Sequence, residues 1–305
     1  MEVSRIFINT YRRDFHFARA CVSSIRYWYP EIPVWLIKDM GAGGFDTGSM
    51  ESFFNVRVLD TGKKSFGWGF GKFEPLFGDS PEPFLFMDAD TVMTGPILDR
   101  LSGIDADFIV DEEVQHHAKL VDLYFDPQAV AELDPSYEYP GYTFNTGQWA
   151  ATPGLFKRHD FEPFLSWDPV PSLRHKAVFK QADQGLFNYL MHKKQSDGAI
   201  RLRREPIMIW PDSGAADHVD LDAIRRKSVS EDRIIHWAGM KNIPAGKFPR
   251  RDIVSFYLEA YYGRTGIGQR LKDFSMDSLD DLGDLAKRIW RRVSMQSRNH
   301  PKVSN

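Results

Sequence analysis

Asp88 and Asp90 stand one residue apart directly after an apolar run, in the stretch FLFMDADTVMTG at residues 84–95. Hard divalent cations such as Mn2+ and Mg2+ prefer oxygen ligands. Two carboxylates at this spacing converge on one ion where the chain leaves a strand and turns. An ion held this way can neutralise a diphosphate. His236 follows a second apolar run and can reach the same ion. Gly239 then lets backbone come close to phosphate, and Lys241 or Lys247 can supply positive charge to it. Each residue also has a plainer reading. The aspartates make an acidic turn, the histidine packs in a core, and Asp183 caps the helix that follows it.

The surrounding pattern supplies the elements that must hold these groups. Buried strands are expected at 5–11, 33–39, 55–60, 83–90 and 106–113, with a helix after the first strand that ends at Pro30. A loop follows at 41–49, and a short helix is expected around Lys72. This alternation predicts an α/β fold with a Rossmann-like, mainly parallel central sheet flanked by helices, plus a small antiparallel element. Ligands of such sheets sit at the carboxyl ends of the strands. That is where Thr10, Tyr11, Asp39, Asp88, Asp90 and Asp111 would lie. The second half reads as a strand at 142–153, a helix at 183–194, two short strands ending in EPIMIWPD and DRIIHWAG, and a helix at 252–263 closed by Gly263.

The chain of 305 residues is 42% hydrophobic and 27% charged, which is globular and sufficient for a large core. A net charge of -3 gives no reason to expect nucleic acid as partner. Cys21 is the only cysteine, so neither an internal disulfide nor a thiolate zinc cluster is available. The N-terminus runs into a strand without a signal-peptide pattern, and no stretch approaches the roughly 18–20 apolar residues of a membrane span. A cytoplasmic location is expected.

Residues 1–265 read as one domain and 266–305 as a helical tail. Between Asp284 and Lys302 there are six Lys/Arg against one Asp, and Leu285, Ile289 and Val293 recur at helical spacing. This tail is either a surface helix docked on the domain or an anchor on anionic lipid at the inner face of a membrane.

Two enzyme chemistries want such an aspartate pair. Asp88, Asp90 and Val92 satisfy one form of the haloacid-dehalogenase phosphatase signature. That signature usually opens its fold, however, and here three strands precede it. A nucleotidyltransferase, or a nucleotide-sugar-binding protein without turnover, would use the same residues. The other chemistry is sugar transfer. Four segments in order resemble glycosyltransferase family 8, which includes glycogenin and the lipooligosaccharide galactosyltransferases: FGKFEPLF followed by PFLFMDADTVMTGPI, then FNTGQWAATP, QADQGLFNYL and IIHWAGMKNIP. They span residues 70–245. The sequence departs from the family where Lys241 follows Gly239 by two residues instead of three.

The resemblance implies a GT-A fold and a retaining transfer of a hexose from a UDP-sugar to an acceptor hydroxyl on a glycan, lipid-linked saccharide or protein, with Mn2+ or Mg2+ held by Asp88, Asp90 and His236. It implies donor contacts from Thr10, Tyr11, Lys72, Ala89, Asn145, Thr146, Gly239 and Lys241, with Tyr11 stacking on a pyrimidine. Asp183 and Gln184 would lie at the reacting sugar. Gln184 is a poor nucleophile, which favours attack of the acceptor from the face the diphosphate leaves. The acceptor pocket is expected from the loops 112–141 and 204–232.

Overall fold

The computed structural model describes residues 1–67, 69–113, 116–240 and 248–277. The chain divides into two compact units, Met1–Leu258 and Glu259–Asn305. The first is built on seven strands: β1 (Arg5–Tyr11), β2 (Val34–Asp39), β3 (Val56–Val58), β4 (Phe84–Asp88), β6 (Phe108–Asp111), β7 (Gln148–Ala151) and β10 (Leu202–Glu205). Their spatial order is β10-β6-β7-β4-β1-β2-β3. The interior strands are apolar on both faces; β1, RIFINTY, has its apolar residues Ile6, Phe7 and Ile8 buried on successive positions. That is the pattern of a sheet covered on both sides. The helix Phe15–Trp28 returns the chain from β1 to β2, so these two strands run parallel.

One strand breaks the parallel run. β7 is antiparallel to both of its neighbours, β4 and β6. The expected strand at 142–153 is correspondingly short: only Gln148–Ala151 are extended in the ladder, and Phe144–Gly147 form the turn that leads into it. Asparagine and glycine favour a turn over a ladder. Because β7 runs backwards, this turn lies at the same edge as the carboxyl ends of β1, β2 and β4.

A second, three-stranded sheet has the order β11-β12-β5, from Met208–Ile209, Ile234–His236 and Thr91–Met93. β8 (Leu165–Ser166) and β9 (Ser172–Leu173) form a small ribbon. Beneath the central sheet Phe86 stacks on Trp149 with ring centroids 5.1 Å apart, and Trp149 meets Phe187 of the helix Asp183–Ser196 at the same 5.1 Å. This aromatic floor fixes the distance between β4 and that helix.

The last long helix, Arg251–Thr265, runs through Gly263, which was expected to close it. Gly266 closes it instead: its φ of 89° is left-handed, and its N–H donates to the Tyr262 carbonyl at 2.8 Å. In the second unit a further helix over 267–277 carries the exposed residues Ile267, Leu271 and Phe274. The basic amphipathic segment 284–302 lies outside the described residues. No helix among the described residues is long and apolar enough to cross a membrane.

Candidate functional site

The Asp-Ala-Asp stretch is placed by two sheets at once. β4 ends on Asp88, the chain turns through Ala89 and Asp90, and Thr91 opens β5 in the second sheet. β5 pairs antiparallel with β12, setting His236 opposite Thr91. The Trp237 N–H donates to the Asp90 carbonyl at 2.9 Å and locks the junction. One continuous path of backbone hydrogen bonds therefore brings His236 to the Asp88-Ala89-Asp90 turn, from which it is distant in sequence. Ligand atoms of Asp88, Asp90 and His236 all lie within 4.8 Å of one another. His236 Nε2 is 3.3 Å from Asp90 Oδ1, and both side chains are buried. Enclosure by protein pushes the Asp88 carboxyl above its ordinary value, against the opposing pull of Lys72.

The set of two carboxylates and one imidazole suits a hard or borderline divalent cation. His236 Nδ1 is buried and has no hydrogen-bond partner among the described residues. Its ring lies face to face with Trp210, with centroids 5.6 Å apart and planes 15° apart. On another side a Cβ added to Gly147 would come within 2.3 Å of His236 Cε1, so glycine is needed for this close approach.

Beside the acidic cluster sits a buried cation. Lys72, on the 3-10 helix Phe70–Phe77, places Nζ 2.8 Å from Asp183 Oδ2 and 3.5 Å from Asp88 Oδ2. It also donates to the Thr146 carbonyl at 3.1 Å. Burial pulls the Lys72 ammonium down, but Asp183 and Asp88 outweigh it and hold it above its ordinary value. Thr146 Oγ1 donates to Asp183 Oδ2 at 2.6 Å. Asp183 is thus no free helix cap: its carboxylate is tied to Lys72 and Thr146. The helix it begins is preceded by Gln181 and Ala182 with left-handed φ values of 47° and 51°. Two successive non-glycine residues there cost on the order of 1–3 kcal/mol each, and they deliver Asp183 and Gln184 to the site.

Asn188, one turn along, accepts from the Phe144 N–H at 2.9 Å and donates to the Phe144 carbonyl at 3.0 Å. This bidentate clamp couples the Phe144–Gly147 turn to the Asp183 helix. Asn145 accepts from the Gly147 N–H at 2.8 Å, which shapes that turn.

These groups open on a cavity of about 870 Å³ at the carboxyl edge of the sheet. Lys72, Asp88, Asp90, Asn145, Thr146 and His236 line it on one side, and Asp183 and Gln184 also face it. Tyr11 and Gly239 line it as well. Gly239 has a left-handed φ of 73°, and none of the described residues stands within 4 Å of where its Cβ would be, so the turn itself requires the glycine. Thr10 and Ala89 are placed differently. Thr10 is fully buried and donates to Asp14 Oδ1 at 2.9 Å, while Asn9 and Tyr11 reach the cavity. Ala89 is buried under its own turn, with its N–H on the Asn9 carbonyl at 3.2 Å. Asp39 lines the cavity but spends its carboxylate on the N–H groups of Gly41 (2.7 Å) and Phe66 (3.2 Å). Asp111 accepts from the Met208 and Ile207 N–H groups at 2.9 and 3.1 Å, which ties β6 to the segment after β10. Lys241 and Lys247 lie outside the described residues.

Sequence reasoning did not single out Gly69, Glu113, Tyr124 and Trp210, all of which line the cavity. Tyr124 donates to Glu113 Oε2 at 2.6 Å, and Gln184 Nε2 donates to the neighbouring Leu123 carbonyl at 3.3 Å. Only the tryptophan in the run MIWPD, directly after an apolar strand, gave any signal in the sequence.

No family model matches the chain, and no curated protein matches it by sequence. Solved structures do. The galactosyltransferase LgtC, in complex with donor and acceptor sugar analogs, superposes with a TM-score of 0.56 over 86% of this chain and 97% of its own, at 17% identity. The fold is that of the GT-A glycosyltransferases. The bifunctional glycosyltransferase WbbM gives a TM-score of 0.55 at 14% identity, over 86% of this chain and 52% of its own. The apo form of the glycosyltransferase GlyE of Streptococcus pneumoniae gives 0.50 at 13% identity, over 84% and 60%. The GT-A fold thus carries the expected mainly parallel sheet with its single reversed strand.

Proposed function

We propose that this chain is a metal-dependent retaining glycosyltransferase that moves a hexose from a UDP-sugar to a saccharide-type acceptor hydroxyl. The observation that carries this reading is the convergence of Asp88, Asp90 and His236 with the Lys72–Asp183–Thr146 cluster on one cavity. Asp88, Asp90 and His236 would hold Mn2+ or Mg2+. When bound, the ion supplies a Lewis acid for the negative charge of the departing diphosphate.

The chain's own residues do the rest. Tyr11 offers a ring face to the uracil. Lys72 holds the Asp183 carboxylate in place, leaving Asp183 to accept hydrogen bonds from donor-sugar hydroxyls. Asn145 and Thr146 contact the sugar or leaving group from the β7 turn. Gln184 sets its amide beneath the anomeric carbon. The acceptor hydroxyl attacks from the face the diphosphate leaves. Its oxygen bonds to the anomeric carbon, the bond from that carbon to the phosphate oxygen breaks, and the hydroxyl proton passes to that phosphate oxygen.

UDP release from a panel of UDP-sugars, measured with and without Mn2+, tests the proposal. Metal-dependent release with one donor is the expected result. Phosphate release from aryl phosphates would move the aspartates to phosphatase chemistry. UDP-sugar binding without release under any acceptor would leave a binding protein. The basic tail is read as peripheral contact with anionic lipid, which flotation of the chain on anionic and neutral liposomes checks.

A further inference from the structure

His236 is held unlike most metal-ligating histidines. Such a ring usually donates its second N–H to a carboxylate or carbonyl, which fixes its plane. Here Nδ1 is buried without a partner among the described residues. Two other contacts constrain the ring. Trp210 lies parallel to it at a centroid distance of 5.6 Å and an interplanar angle of 15°, within the range of favourable aromatic stacking. Gly147 stands so close that its missing Cβ is the space in which His236 Cε1 and Nδ1 sit, at 2.3 and 2.8 Å from the ideal Cβ position. The ring is therefore bounded on one side by a flat indole and on another by bare backbone.

We infer that Trp210 is the positioning residue for His236: stacking, in place of a hydrogen bond at Nδ1, sets the imidazole plane for a divalent cation. Trp210 follows β11 and His236 ends β12, and these strands pair in parallel through Met208–Ile234 and Ile209–Ile235. Trp210 thus continues the register that places His236, and the two rings rise side by side from one sheet. This inference rests on the reading of Asp88, Asp90 and His236 as a metal site. It adds that their affinity depends on a residue that touches no metal.

Direct Mn2+ binding to the full chain tests it, by calorimetry and by the electron paramagnetic resonance of free Mn2+, without any turnover. Trp210→Phe keeps a ring face and is expected to bind Mn2+ within about threefold of the parent. Trp210→Leu keeps apolar bulk but no plane. It is expected to weaken binding about 10–100-fold, the usual range for losing a residue that orients a ligand. Its melting temperature without metal should stay close to that of Trp210→Phe. Equal Mn2+ affinity in the Leu and Phe variants would overturn the inference. So would equal losses in both, since a merely structural role does not distinguish a ring from an aliphatic chain. No Mn2+ binding by the parent would overturn the metal-site reading itself, and with it this inference. Gly147→Ala is the second probe. It adds a methyl against Cε1 without touching Trp210, and is expected to weaken Mn2+ binding by a similar factor.

Discussion

Lys72 and Asp183 form a buried ion pair, Nζ to Oδ2 at 2.8 Å, with Asp88 on the other side of the ammonium at 3.5 Å. Carboxylates from a strand end and a helix start thus share one cation from a 3-10 helix. Removing one partner of such a pair strands the other charge without water, at a cost of about 3–5 kcal/mol. Lys72→Met should therefore lower stability by about 3 kcal/mol or more in urea or thermal unfolding, in addition to abolishing UDP release. An unchanged unfolding midpoint would show that the pair is not formed in solution.

Asp111 predicts a pH effect of unusual sign. Burial, with Glu113 nearby, pushes its carboxyl from 3.8 up to about 7, although it accepts from the Met208 and Ile207 N–H groups. A carboxyl with a raised folded value keeps its proton after the unfolded chain has lost it. Its contribution to stability therefore falls as pH rises from about 4 to about 7. Asp111→Asn keeps an acceptor for both N–H groups and has no proton to lose. It should gain up to about 4 kcal/mol at neutral pH, at roughly 1.4 kcal/mol per pKa unit, and much less near pH 4. His192 opposes this slope in the parent. Burial lowers its imidazole from 6.5 to about 3, so its contribution is lost as pH falls through that window. Unfolding curves of parent and Asp111→Asn across this range would separate the two. A constant difference between them at every pH would contradict the assignment.

The edge of the sheet that holds the site was legible in the sequence because buried parallel strands read as apolar runs. The turn carrying Asn145 and Thr146 was read as strand, because a run such as YTFNTGQWAATP does not reveal the direction of its pairing. Its role at that edge depends on β7 being antiparallel, which is a property of the whole sheet. His236 was readable as a ligand, whereas Trp210 showed only as a tryptophan after an apolar strand, with no sign that it stacks on that histidine. That contact comes from β11 pairing with β12, and nothing local to either segment announces it. Thr10 and Asn9 show the limit of strand reading in another way. Alternation along β1 assigns them to opposite faces, but only the packing of Asp14 decides which of them is spent inside.

Gly69 makes the same point and yields a prediction. Its φ is 99°, and a Cβ there would stand 2.3 Å from Asp183 Oδ1. Gly69→Ala should strain the backbone by about 1–2 kcal/mol and displace the Asp183 carboxylate from Lys72. Misplacement of a positioned group by an ångström costs on the order of a hundredfold in rate. UDP release is thus expected to fall far more than the melting temperature. Full turnover in Gly69→Ala would remove Asp183 from the reacting centre.

The state of Asp183 also bears on how the proposed transfer would retain configuration. Double displacement needs a carboxylate that attacks the anomeric carbon and forms a covalent glycosyl-enzyme. Asp183 Oδ2 already accepts from the Lys72 ammonium at 2.8 Å and from the Thr146 hydroxyl at 2.6 Å. Both contacts draw electron density from the oxygen and make it a weaker nucleophile. Gln184 has an amide, which is weaker still. No glycosyl group should therefore accumulate on the protein. Mass spectrometry of the chain, quenched in acid during turnover of a UDP-hexose, should show only the unmodified mass. Asp183→Asn should lose turnover by on the order of a hundredfold or more through lost hydrogen bonds to the sugar. A peptide carrying a hexosyl group on Asp183 would replace front-face attack with double displacement.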